Sequence, residues 1–263
     1  MSVLAIDVGN SRVGFNVFTR GKAQDPATRL THAELDNELA ATLKTLFEKA
    51  QRETREAEDE ETEIIVASVV PAIADRIAAS ARQYTPATVR TIGRDLAVPL
   101  TTALTEESTV GQDRLLAAMA AYVNVEKACV IVHLGSALVV DCIDDEGIFR
   151  GGAIAPGLHM AAKALHAFTA QLPDAILTPP ADDVPYGRST QEAMNLGLYV
   201  GMRGAIRELL ERYATALGAW PHVVATGGDA TALLGNTEGL VDSFIPDLVL
   251  QGAALTWEKS REE

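Results

Sequence analysis

The chain has 263 residues, 48% of them hydrophobic, and a formal net charge of −14. That length and apolar content suffice for two modest domains, or one large one, with a packed core. The acidic balance argues against nucleic acid or an anionic membrane surface as the main partner, and no apolar run reaches the length of a membrane span. The opening MSVLAIDVG has no basic leader region and starts a strand at once, so no signal peptide is expected and a cytoplasmic location is. Cys129 and Cys142 both fall in predicted strands and read as buried free thiols rather than a disulfide framework.

Residues 3–6 are an apolar run that predicts a strand. Asp7-Val8-Gly9-Asn10-Ser11 reads as a turn, and residues 13–18 return with alternating Val13, Phe15 and Val17. Leucines at 35, 39, 43 and 46, with Phe47, set a helical period over 34–56. The acidic run 55–63 reads as a solvated helix end and loop. The apolar run 64–70 is a buried strand that Pro71 ends; 72–82 is a short helix and 88–92 another strand. A hairpin followed by helix–strand–helix–strand is an α/β arrangement.

Residues 100–109 are threonine-rich and irregular. Gly111-Gln112-Asp113-Arg114 then leads into LLAAMAAYVNV, a helix apolar enough to be buried in the core or against a partner chain. Asp113 at its start is favoured by the helix dipole. The same position also suits a carboxylate base beside a guanidinium that clamps an anion. Local sequence leaves both open.

The stretch 129–158 repeats the N-terminal pattern: strand, small-residue turn Gly135-Ser136-Ala137, and strand over 138–143. The pair Gly151-Gly152 is read as following another short strand. Asp7 and His133 occupy equivalent places, as do Gly9 and Gly135. Small turns of this kind let backbone N–H groups approach an anionic oxygen. Two related halves of about 120 residues each follow, whose hairpins would hold a polyphosphate between their turns. Helices are expected over 158–168, 191–213 and 248–257. Gly197, Gly201 and Gly204 suggest close packing of the second of these. The strand 223–226 running into Gly227-Gly228 before a helix suits a nucleotide.

In order and spacing these elements resemble the type III pantothenate kinases. They are Asp7-x-Gly9-Asn10-Ser11, Ser68-Val69-Val70-Pro71, Gly111-x-Asp113-Arg114, Gly135-Ser136-Ala137, Asp141, Gly151 to Gly157, Gln171-Leu172-Pro173, Gly187-x-x-Thr190 and Thr226-Gly227-Gly228. The match runs from residue 3 to about 255. The resemblance implies two duplicated ribonuclease H-like, actin-like α/β domains around a central cleft, divided as 1–112 and 113–263. It implies ATP-dependent phosphorylation of pantothenate, the first step of coenzyme A biosynthesis, by a cytoplasmic homodimer, with the helix after Arg114 near the interface and with neither nucleic acid nor membrane as partner. Carried over residue by residue, Asp113 is the general base, and Gly111, Gln112, Asp113, Arg114 and Thr190 contact pantothenate. The first phosphate loop comprises Asp7, Val8, Gly9, Asn10, Ser11, Arg12, Val13 and Gly14. Gly135 and Ser136 touch ATP from the second. Asp7 serves Mg²⁺ through water, since Mg²⁺ keeps much of its hydration.

The chain departs from the family pattern at His133. The family has an aspartate there that binds a monovalent cation, K⁺ or NH₄⁺, for which a neutral imidazole is a poor ligand. Leu138 and Val139 replace hydroxyls, Gly14 stands where many members have lysine, and Leu104 falls near a tyrosine that helps bind pantothenate. These departures admit a second reading: a weakly active or non-catalytic paralogue acting as an accessory transcriptional regulator or ligand sensor.

Overall fold

Val3 to Val8 and Val13 to Phe18 are β-branched and apolar enough to pair as one long hairpin. A computed structural model describes residues 2–56, 62–106, 109–181, 183–235 and 239–262 of the chain. In it β1 (Ser2–Val8) and β2 (Arg12–Thr19) run antiparallel from Ser2↔Thr19 to Val8↔Val13. Asp7, expected in the turn, therefore lies inside β1. It pairs with Gly14, and the turn shrinks to the few residues between Val8 and Arg12. The far edge of β2 carries β3 (Lys22–Ala23) and β4 (Thr28–Thr31), both antiparallel to it. Helix α1 (Leu35–Glu56), strand β5 (Glu63–Ser68), helix α2 (Pro71–Tyr84) and strand β6 (Thr88–Thr91) follow. Strand β5 is parallel to β1 and β6 is parallel to β5.

Side chains alternate across a strand, so each face of this sheet has its own cover. Leu4, Ile6, Val8, Val13, Phe15 and Val17 pack with Leu35, Leu39, Leu43 and Phe47 of α1 and Ile77 of α2. The opposite face meets α7 (Leu248–Lys259), which packs on β1, β2 and β5. Helix α3 (Gln112–Val125) buries Leu116 to Ala121. It lies so close to α7 that a Cβ on Gly252 would sit 2.3 Å from the Leu116 carbonyl oxygen.

A second sheet orders as β11 (Ser243–Phe244), β10 (His222–Thr226), β7 (Cys129–Leu134), β8 (Ala137–Ile143), β9 (Phe149–Pro156). Strands β7, β8 and β9 are antiparallel in turn, while β10 is parallel to β7 and β11 to β10. Helices α4 (Leu158–Ala167), α5 (Thr190–Leu217) and α6 (Ala230–Leu234) complete this unit. In both sheets the first strand of the unit sits between its hairpin partner and a parallel strand; one strand lies beyond the parallel strand, and beyond the hairpin partner lie β3 and β4 in the first sheet and β9 in the second. This is the duplicated ribonuclease H-like, actin-like arrangement that the family resemblance implies.

The two compact units comprise residues 1–124 with 247–263, and residues 125–246. A division at 112/113 cuts elsewhere: α3 packs in the first unit, and the closing helix α7 returns to it. Other local readings are corrected too. Gly151 and Gly152 lie within β9, where they pair with Cys142 and Asp141. Gly197, Gly201 and Gly204 lie on an open side of α5, with nothing within 4 Å of a Cβ built on any of them. Both cysteines are free and buried, and burial pushes the Cys129 thiol up to about 12 and the Cys142 thiol up to about 11. Residues 57–61 of the acidic run and 107–108 beside the Gly111 motif, in the threonine-rich stretch, lie outside the described residues. Among the described residues no helix is long and apolar enough to cross a membrane.

Candidate active site

Strand β1 carries Asp7 on the face that looks toward α7, one residue before the last hairpin pair. The turn beyond it is closed by the Gly9 amide donating to the Arg12 carbonyl at 3.0 Å. Asn10, Ser11 and Arg12 are exposed there. Val8 and Val13 are buried in the core on the other face, so they can offer a ligand only backbone groups. His32, just past β4, places Nε2 3.0 Å from the Gly9 carbonyl and braces the turn from outside.

Asp113 stands in the first turn of α3. The backbone makes room for it at Gly111, where a Cβ would lie 2.4 Å from Asp113 Oδ1. The Arg114 amide donates back to the Gly111 carbonyl at 3.1 Å, which fixes the helix start. Gln112 packs against Gly93. Burial, then the neighbouring carboxylates of Asp113 and Asp247, push the Asp7 carboxyl up to about 7, with Arg29 pulling the other way. The first unit therefore brings together Asp7 and Asp113, the two acids singled out from the sequence, although they are far apart along the chain.

That unit adds three residues the sequence reading missed. Asp247, the N-cap of α7, holds a left-handed conformation (φ 60) and forms an ion pair with Arg29 of β4. With His32 they make β4 and the start of α7 part of the site. The stretch 20–31 offers too short a hydrophobic pattern to announce a strand. Pro246-Asp247 before an apolar run was the one usable helix-start signal.

In the second unit the β7–β8 turn is built differently. The Gly135 amide donates to the Ala137 carbonyl at 3.1 Å, closing a turn one residue shorter than the first. His133 holds the register position that Asp7 holds in β1, one residue before the last hairpin pair. A Cβ on Gly135 would stand 3.6 Å from its Nε2, so the imidazole lies along the turn. Two glycines press on this turn. A Cβ on Gly157 would meet the Gly135 carbonyl oxygen at 2.4 Å. Gly227, at φ +99, would drive one to 2.2 Å from the Leu134 oxygen. The Thr226-Gly227-Gly228 junction is thus a packing element. The Asp229 amide donates to the Leu134 carbonyl at 3.2 Å, and the helix that follows has only five residues, so the expected nucleotide seat has no long helix behind it.

Thr190 opens α5 after the Ser189 cap, whose hydroxyl accepts from the Glu192 amide at 3.2 Å. It lines a largely apolar cavity of about 420 Å³ with Leu165, Leu172, Ala193, Met194 and Leu198. Gln171-Leu172-Pro173 and Gly187-x-x-Thr190, separate motifs in the sequence, thus meet at one place in this unit. Among the described residues no group of three or more His, Cys, Asp or Glu is placed to hold a metal directly.

The family model of type III pantothenate kinase matches residues 3–212. A type III pantothenate kinase of Dehalococcoides mccartyi is 32% identical over 98% of this chain and 98% of its own. One from Solibacter usitatus is 30% identical over 99% of this chain and 98% of its own. Among solved structures, a conserved candidate transcriptional activator of the Baf family from Campylobacter jejuni aligns over 99% of this chain and 100% of its own. Its TM-score is 0.62 at 19% identity, a likeness of fold.

Proposed function

The chain belongs to the type III pantothenate kinase family and phosphorylates pantothenate, the first step of coenzyme A biosynthesis; we propose that it does so from ATP with Asp113 as the general base. The observation that carries the assignment is the electrostatic meeting of Asp113 with Asp7 in one unit. A primary alcohol must lose its proton as it attacks phosphorus, and a carboxylate within hydrogen-bond reach takes it. Asp113 has that freedom because Gly111 leaves the space beside its carboxylate open. Arg114 next to it takes the pantothenate carboxylate with its planar fork. Gly111 and Gln112 are the neighbouring pantothenate contacts in the first unit. Within the second unit, Thr190 places a hydroxyl at the rim of an apolar cavity, suited to a molecule that is part apolar and part hydroxylated.

The turn from Gly9 to Arg12 offers its backbone to phosphate. Within the second unit, the small turn at Gly135 and Ser136 is suited to phosphate in the same way. Asp7 fits a cation: burial first, then the nearby Asp113 and Asp247, raise its carboxyl, with Arg29 offsetting them, and Mg²⁺ would favour its charged form. Asp7 would hold Mg²⁺ through water, since Mg²⁺ keeps much of its hydration. Mg²⁺ bound with the nucleotide supplies neutralisation of phosphate charge, and positioning does most of the rest. His133 does not fit a monovalent cation, because imidazole has no anionic oxygen to give. We assign the protein to the cytoplasm and to a homodimer. The dimer is supported by apolar side chains left exposed on the second unit: Ile154 at 63%, Val200 at 52% and Met160 at 49%. The test is ADP release by the native protein with and without pantothenate, repeated with Asp113→Asn.

A further inference from the structure

We propose that Arg29 is a further substrate-contacting residue of this site. Its guanidinium, in the same register row as Asp7, donates to an oxygen of the nucleotide's phosphates, and Asp247 orients it. The inference deepens the kinase reading and rests on it.

The register sets the geometry. Asp7 pairs with Gly14 across β1 and β2, and Gly14 pairs with Arg29 across β2 and β4. Directly paired residues share a face of the sheet, so Asp7, Gly14 and Arg29 form one row. Two strand spacings, about 10 Å, separate the ends of that row. The middle position has no side chain, and helix α7 comes down on it: a Cβ on Gly14 would lie 3.3 Å from Leu250 Cδ1. Three residues before Leu250, Asp247 forms its ion pair with Arg29 Nη2. Glycine at position 14 thus lets the start of α7 settle against this row, where Asp247 holds the Arg29 guanidinium.

Electrostatics gives the arrangement a purpose. Asp113 from α3 and Asp247 from α7 both act on Asp7 of β1, and Arg29 from β4 is the guanidinium that offsets them. Arg12 on β2 acts on Glu34. Polyphosphate brought to the Gly9–Arg12 turn would face this acidic group, so a fixed cation is needed as well as Mg²⁺. The guanidinium is still available to a ligand. Nη2 reaches Asp247, Nη1 makes one long contact of 3.5 Å to the Ala27 carbonyl, and the other N–H groups find no partner among the described residues. The Arg29 side chain is 47% exposed while Asp247 is only 13% exposed. An ion pair this open adds little stability. What it does is aim the fork, leaving donors that match phosphate oxygens.

The experiment compares the native protein with Arg29→Met, Arg29→Lys and Asp247→Asn. It measures calorimetric binding of Mg²⁺–AMPPNP and Mg²⁺–ADP, the KM values for ATP and pantothenate, and Tm. The expected result is an AMPPNP affinity about tenfold or more weaker in Arg29→Met, the loss of a charged hydrogen bond, with a raised KM for ATP and an unchanged KM for pantothenate. Arg29→Lys recovers part of the loss, and Asp247→Asn loses less than Arg29→Met. Nucleotide binding by Arg29→Met at native affinity overturns the proposal. So does a loss equal in Arg29→Met, Arg29→Lys and Asp247→Asn that follows Tm, which marks a structural clamp. If the native protein binds nucleotide but shows no pantothenate-dependent turnover, the kinase reading falls, while a weakened Arg29→Met still upholds the arginine's contact. If the native protein binds no nucleotide, both fall together.

Discussion

Asp7 is strained electrostatically rather than sterically. Burial first, then Asp113 and Asp247, raise its carboxyl from the ordinary 3.8 to about 7. A carboxyl whose folded pKa lies above its unfolded value favours the fold fully at pH below the unfolded value. That contribution is lost as pH rises through the folded value. The metal-free, nucleotide-free protein should therefore melt several degrees lower at about pH 8 than at about pH 5, and Asp7→Asn should flatten this dependence. A native protein whose Tm is level across that window, or rises, contradicts the assigned shift. At Asp113 the loss should be kinetic. Asp113→Asn keeps the shape and cannot accept the proton, so kcat should drop by about 10²–10⁴ with Tm unchanged. Arg114→Lys should raise the KM for pantothenate more than that for ATP, because an ammonium cannot reproduce a planar two-point grip; equal rises for both would remove Arg114 from the carboxylate.

At the scale of elements, the hairpins were legible because alternation and small turns write themselves into the sequence. Val13, Phe15 and Val17 mark one face of β2, and Gly135-Ser136-Ala137 marks the second turn. Pairing was not legible. Only the ladder shows that Asp7 belongs to β1, that β4 lies beside β2, and that Arg29 shares a row with Asp7. Propensity cannot announce a four-residue strand such as β4, whose place is fixed by tertiary pairing. The glycines of α5 misled for the opposite reason. Small residues at helical spacing suggest a close neighbour, and among the described residues these have none within 4 Å of a built Cβ. Gly227 and Gly157 are where close approach is real. Gly227→Ala combines a positive φ with contact on the Leu134 carbonyl, and should cost about 1–3 kcal/mol. Thermal unfolding would show this as a clear fall in Tm. An unshifted Tm would mean the β7–β8 turn relaxes freely.

For the whole molecule, the duplicated sheets explain why both hairpin turns carry a residue poised one pair from the tip, and why the copies differ there. Asp7 fills that place in the first unit and His133 in the second. Histidine offers no anionic oxygen, so turnover should be the same in matched sodium and potassium buffers, and His133→Asp should introduce a potassium stimulation. Strong potassium stimulation of the native protein would contradict this. The duplication was readable as a repeat, but the division into units was not, because α7 closes the first unit from the far end of the chain. The most direct test of the account is coupled ADP release by the native protein and by Asp113→Asn, each with and without pantothenate. The account predicts release that depends on pantothenate in the native protein and is lost in the variant. Release indifferent to pantothenate, or a variant that turns over at the native rate, would contradict it.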